Sequence, residues 1–187
     1  MRIARRALVI VPGFLLVTLL LPIGVRLAPR GIGFVIFAIA LGLVLKEESL
    51  KATLHSAGVA HHKVGDPTGP AGVGAVLRSE SGEVLGEIGR SVGVSTNTVA
   101  DYTALIDGLE MALDQGVREI DVYVDSPVVA GHLSEGYMVR ADHLRPLVER
   151  TRQLLDQFST WSVTRVPRRL NLESDLLANH GIEQAMT

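Results

Sequence analysis

The sequence predicts an α/β domain, a five-stranded mixed sheet with helices on both faces, preceded by a hydrophobic leader that reads as a two-helix membrane hairpin. Three observations carry this. Beyond residue 50, hairpin-connected β-like runs come first and then alternate with helical stretches. Before residue 50, two long uncharged apolar runs flank a basic break. The 187 residues are 47% apolar and 20% charged, enough for one domain with a real core, and none is cysteine. That excludes a disulfide framework, a thiolate nucleophile and a Cys-ligated zinc or iron–sulfur site.

The leader comes first. Residues 7–25 are 19 uncharged positions, 14 of them apolar, and residues 31–45 are 15 more, 12 of them apolar. At about 1.5 Å per residue the first run crosses a hydrocarbon core of about 30 Å, and the second does so with help from Leu27, Ala28 and the stem of Arg30. Arg26, Pro29 and Arg30 make the turn, and Arg2, Arg5 and Arg6 with Lys46 and Lys51 outweigh it, so both tails are expected in the cytoplasm. The expected partner of residues 7–45 is therefore a membrane, with the domain of residues 51–187 cytoplasmic. Two competing readings exist. A signal peptide needs a shorter run and a small-residue cleavage site before Arg26. A mis-set start near Lys51 makes the protein simply cytoplasmic, since no Met lies between Met1 and Met111. Charge divides at the same boundary: residues 1–50 are net +4, and because the whole chain is −2 the remainder is −6.

In the second part, residues 52–60, 72–78 and 84–92 read as three strands, with Ser81 and Gly82 as a tight turn between the last two. Residues 61–70, rich in Gly, Pro and Asp, read as a loop. Thr96 is the expected N-cap of a helix over residues 98–114, with Ala100, Leu105, Leu109 and Leu113 near one face and Gly116 just past its end. Residues 120–124, a nearly continuous apolar run, predict a strand buried on both faces. A short helix over 128–133, a longer one over 142–158, a fifth strand over 161–166 and a last helix over 172–185 complete the order.

Three aspartates fall at informative places in this scheme. Asp101 lies in the first turn of the first helix, Asp125 at the carboxyl end of the fourth strand and Asp175 in the first turn of the last helix. Such positions converge on one crevice of an α/β sheet, and oxygen-only clusters suit Mg²⁺ or Mn²⁺. Each alone is more commonly a helix cap or a first-turn charge that complements the macrodipole than a metal ligand.

Four blocks then carry a family resemblance. They are Gly69-Pro70-Ala71-Gly72-Val73-Gly74-Ala75-Val76-Leu77, Thr96-Asn97-Thr98-Val99-Ala100-Asp101-Tyr102-Thr103-Ala104-Leu105, Val124-Asp125-Ser126, and Val166-Pro167-Arg168 followed by Asn171 and Asp175-Leu176-Leu177-Ala178-Asn179. In this order, over about residues 52–182, the chain resembles type 1 ribonuclease H. The resemblance implies a five-stranded mixed sheet flanked by helices and cleavage of the RNA strand of RNA–DNA hybrids. It also implies two Mg²⁺ ions held by four carboxylates, one helping to generate hydroxide and the other steadying the leaving oxygen.

Carried over residue by residue, the catalytic and metal-binding set is Asp101, Asp125 and Asp175. Asp101 stands where the family usually has Glu. The first carboxylate, which in the family bridges both ions, belongs in an Asp-Gly pair that here reads Ala57-Gly58. The next loop carries an insertion, His61, His62 and Lys63 before Asp66. Asp66, His61 or His62 could stand in for the missing carboxylate, but nothing in the spacing requires it, and the favoured reading is a solvated loop with Asp66 as a turn former. Where the family often has His, this chain has Arg165. Asn97, Ser126, Arg165, Arg168 and Asn171 are the expected nucleic-acid contacts. Arg165, Arg168 and Arg169 form the one compact basic cluster near the site in a domain of net negative charge, so binding is expected to be weak and salt-sensitive. The expectation is a metal-dependent ribonuclease H-like hydrolase weakened at Ala57. The rival is a non-catalytic module of the same fold that binds nucleic acid or a protein partner at a membrane.

Overall fold

The first three strands form an antiparallel meander because each is bounded by residues that break it. In the computed structural model, which describes residues 50–187, these are β1 (Lys51–Ala60), β2 (Gly69–Ser79) and β3 (Val84–Ser95). Gly82, at a φ of 86°, turns the β2–β3 hairpin as its sequence predicts, and the Ser79 amide donates to the Glu83 carbonyl at 2.8 Å to close it. β2 starts earlier than expected, at Gly69, because its register runs on to pair Gly69 with Ser95 and Ala60 with Ala71. The intervening loop is correspondingly shorter. The anticipated membrane hairpin of residues 7–45 lies outside the described residues. Among the described residues no helix is long and apolar enough to cross a membrane.

Helix α1 (Asn97–Asp114) begins where Thr96 Oγ1 accepts from the Val99 amide at 3.3 Å. It ends at Gly116, φ 78°, with the Gly116 amide donating to Leu113 and the Val117 amide to Ala112, the paired bonds that close a helix on a left-handed glycine. Strand β4 (Glu119–Val124) then runs parallel to β1, and β5 (Thr160–Arg165) parallel to β4, giving the sheet order β3-β2-β1-β4-β5.

Between them lie α2 (Pro127–Leu133), a 3-10 turn (Asp142–Leu144) and α3 (Arg145–Leu155). The single helix expected over 142–158 is thus divided. Pro146 lacks an N–H and suits the first turn of a helix, so the α-helix proper starts at Arg145. A second 3-10 turn (Arg168–Leu170) leads into α4 (Leu172–Gln184).

The main core lies between the sheet and α1, α2 and α3, with Leu54, Leu77, Tyr102, Leu105, Ile120, Val122 and Leu155 fully buried. α4 covers the other face over β1, β2 and β3. It comes close because β2 has no side chain there: a Cβ on Gly72 or Gly74 would strike the backbone of Ala178 or Ser174. Strand β4 is covered on one face, not two. Ile120, Val122 and Val124 are buried, while Glu119, Asp121 and Tyr123 are only partly so, because α4 packs over the other half of the sheet. The half that α4 leaves uncovered includes the carboxyl end of β4.

Candidate nucleic-acid site

The crevice forms where the carboxyl ends of β1 and β4 meet the starts of α1 and α2. Its volume is about 520 Å³, and Gly58, Ala60, Asn97, Asp101, Asp125, Ser126, His61, Arg168 and Asn179 are among the residues that line it. Gly58 makes the junction possible, since a Cβ there would collide with the backbone of Ala100 and Asp101. With α1 seated this closely, the Gly58 amide donates to Asp101 Oδ1 at 3.0 Å and the Ala60 amide to Asn97 Oδ1 at 2.7 Å.

Asp101 is held mostly out of water. Burial pushes its carboxyl up to about 7, and the nearby charge of Asp125 acts in the same direction. The Ser126 hydroxyl, the Gly58 amide and the Arg168 guanidinium oppose the rise. Near neutral pH the site therefore carries Asp101 in both protonation states.

Asp125 follows the last residue of β4 and precedes Ser126, the N-cap of α2. One of its oxygens accepts from Asn171 Nδ2 at 2.9 Å. Asp175, in the first turn of α4, turns to Arg168 at 2.5 Å and does not line the crevice. Asp101 and Asp125 thus line one crevice, while Asp175 is paired with Arg168, itself a residue of that lining. Ala57 is 2% exposed and lies one residue beyond the Ser56–Val124 pair of parallel strands, so its methyl group faces the same side of the sheet as Asp125. Among the described residues no three His, Asp or Glu side chains are placed to hold a metal ion. Without an oxygen at position 57, and with Asp175 engaged by a cation, the residues present do not fit a two-ion carboxylate set.

The expected nucleic-acid contacts divide. Asn97, Ser126 and Arg168 line the crevice, and Arg165 lines an adjoining hollow with Asp125 and Arg168. Asn171 is 1% exposed and spends its amide inside the protein, so it is a framework residue and not a surface contact. His61 is exposed in the loop, as read from the sequence, and also lines the crevice, where its Nε2 meets Asn179 Oδ1 at 2.8 Å. Two residues had no role in the sequence reading. Asn179 stands one helical turn beyond Asp175, a spacing that could have marked it. His55 is two residues before Ala57 on the same face of β1, where a polar residue in a half-buried strand is itself a signal.

A meander followed by two parallel strands, with carboxylates at the carboxyl end of β4 and the start of α1, defines the ribonuclease H-like class of α/β proteins. A family model described as reverse transcriptase-like matches residues 61–181. Ribonuclease HI of Halobacterium salinarum is 41% identical over 121 residues, which cover 65% of this chain and 60% of that protein. The crystal structure of ribonuclease H1 from the same archaeon superposes with a TM-score of 0.67 at 36% identity, over 72% of this chain and 98% of that one. The N-terminal ribonuclease H domain of a Mycobacterium tuberculosis protein superposes at 0.67 and 33% identity, over 71% and 99% of the two chains. A compost-derived ribonuclease H1 crystallised with an RNA/DNA hybrid superposes at 0.66 and 28% identity, over 73% and 99%. The chain belongs to the type 1 ribonuclease H family. It spans about 60% of the length of the Halobacterium protein and 33% of that of the mycobacterial one.

Proposed function

We propose that this domain binds RNA–DNA hybrids in the crevice between β1, β4 and α1, and that its hydrolysis of the RNA strand is weakened at Ala57. The first half rests on family membership and on the relative crystallised with a hybrid. Asn97, Ser126, Arg165 and Arg168 supply the polar and cationic lining. The second half rests on one observation: the residue next to Asp125 on the same side of the sheet is a buried alanine. A divalent ion, Mg²⁺ or Mn²⁺, supplies the chemistry in such hydrolysis. Of the anticipated ligands only Asp101 and Asp125 line the crevice.

A second reading, binding without any cleavage, is favoured by the Arg168–Asp175 pair, which occupies the remaining carboxylate. The leader's apolar runs and basic flanks support a membrane anchor, which carbonate extraction of the full chain tests: release into the soluble fraction rejects it.

Hydrolysis of a labelled hybrid with Mg²⁺ or Mn²⁺ decides the rest. The full chain should cleave slowly, Ala57→Asp about 10³-fold faster or more, and Asp125→Asn should abolish cleavage in both. A loss of about 4 kcal/mol in barrier height corresponds to that ratio. No cleavage by the native chain, with activity gained in Ala57→Asp, selects the binding module. Native cleavage that Ala57→Asp does not improve overturns the role given to Ala57.

A further inference from the structure

Behind the crevice a run of polar contacts leads along one side of the sheet to Asp125, and it begins at a residue outside the family motifs named above. Asn171 Nδ2 lies 2.8 Å from the Ser56 carbonyl and 2.9 Å from Asp125 Oδ1. Both of these partners only accept, so the Asn171 amide must present its nitrogen to them and uses both N–H bonds. Its oxygen is thereby directed to the other side, where His55 Nδ1 stands at 3.2 Å. An amide oxygen cannot donate, so that ring nitrogen carries the proton.

The ring is held for this task. His55 stacks on Tyr123 of the neighbouring strand with centroids 4.9 Å apart and planes 25° apart. Burial holds the imidazole below its usual range, which keeps it neutral with a single N–H. Arg78 acts in the same direction, while Asn171 and Glu173 oppose it. Asn171 also closes the turn before α4, its own amide donating to the Arg168 carbonyl at 2.9 Å and its carbonyl accepting from the Asp175 amide at 3.2 Å. One residue therefore touches the Asp125 carboxylate through its side chain and the Asp175 amide through its own backbone carbonyl.

We propose that His55 is a positioning residue: its Nδ1–H, donated to Asn171 Oδ1, locks the Asn171 amide with its nitrogen toward Asp125 and so fixes the Asp125 carboxylate in the crevice. Without that donor the amide can reverse, and an oxygen would then face the Ser56 carbonyl and the Asp125 carboxylate. The consequence for activity rests on the reading of the crevice as a hybrid site; the hydrogen-bond arrangement does not.

The test has two arms. Nitrogen-15 imidazole spectra of the full chain labelled at histidine, with the His55 signals identified by their loss in His55→Phe, should show a neutral Nδ1–H ring. The Asn171 side-chain amide protons should exchange slowly in the native chain, quickly in His55→Phe, and slowly again in His55→Asn, whose amide nitrogen sits where Nδ1 was. An Nε2–H ring, or an Asn171 amide indifferent to His55→Phe, overturns the proposal. In an Ala57→Asp background with Mg²⁺, His55→Phe should lower kcat about tenfold or more with little change in KM, and His55→Asn should restore most of it. Equal losses in the two variants would also overturn the positioning role. If Ala57→Asp is inactive, the hydrolytic reading fails, and the spectra still decide the role of His55.

Discussion

Arg168 Nη2 and Asp175 Oδ1 are 2.5 Å apart, with the arginine side chain 63% exposed and the aspartate 16%. The pair takes a cation that lines the crevice and commits it to the protein's own carboxylate. A hybrid phosphate must compete with Asp175 for Arg168. Replacing Asp175 with Asn should release the guanidinium and remove a negative charge. Hybrid binding without divalent ions should tighten by a few-fold at low salt, and log Kd against log salt should steepen by about one unit. Fluorescence anisotropy at several salt concentrations measures both, and unchanged binding would show that Arg168 does not meet phosphate.

The raised carboxyl of Asp101 makes stability depend on pH in a direction opposite to that of most paired carboxylates. Folded, Asp101 keeps its proton to about 7; unfolded, it loses it near 4. Between those values the native state holds the extra proton, so the contribution is complete below about pH 4 and is lost as pH rises toward 7. Urea unfolding of the native chain and of Asp101→Asn should diverge across this window, the native chain losing up to about 1.4 kcal/mol per pH unit relative to the variant. Parallel curves would show that Asp101 titrates normally.

The approach of α4 to the sheet depends on glycine. A methyl group at Gly74 meets the carbonyl oxygen of Ser174, and helix backbone cannot rotate aside as a side chain would. Gly74→Ala should cost about 1–3 kcal/mol of stability and lower Tm. Because α4 carries Asp175 and follows directly on Asn171, hybrid binding by the folded variant should change with it.

The buried pair of Tyr102 and His132 is structural. The Tyr102 hydroxyl and His132 Nδ1 are 2.8 Å apart, and Arg152 donates to the His132 carbonyl at 2.9 Å, joining α1, α2 and α3. Tyr102→Phe leaves the ring nitrogen without that partner and should destabilise by about 1–3 kcal/mol in denaturant unfolding, with hybrid binding unchanged. A stability within a few tenths of a kcal/mol of native would show that water replaces the hydroxyl at no cost.

Elements with strong local signals were legible in advance. The Thr96 cap, the Gly116 stop and the Gly82 turn each needed only a few consecutive residues, and each stands where its chemistry demands. Misreadings arose where distant residues decide. The apolar run of β4 suggested two covered faces, but coverage depends on where α4 lies, and glycines at positions 72 and 74 draw that helix over β2. Asn171 looked like a ligand contact from its motif, and only the arrangement of Ser56, Asp125 and His55 around it shows that its amide is consumed internally.

The sequence by itself determined the strand and helix order, the family, and the absence of a carboxylate at Ala57, because these reside in residue identity and short-range pattern. Only the tertiary structure decided which acids share a space. Asp101 and Asp125 are brought to one crevice by β1, β4 and the bare backbone of Gly58, while Asp175 pairs with Arg168 from the preceding turn. Charge separation and desolvation depend on distance in space, and spacing along a chain does not encode them.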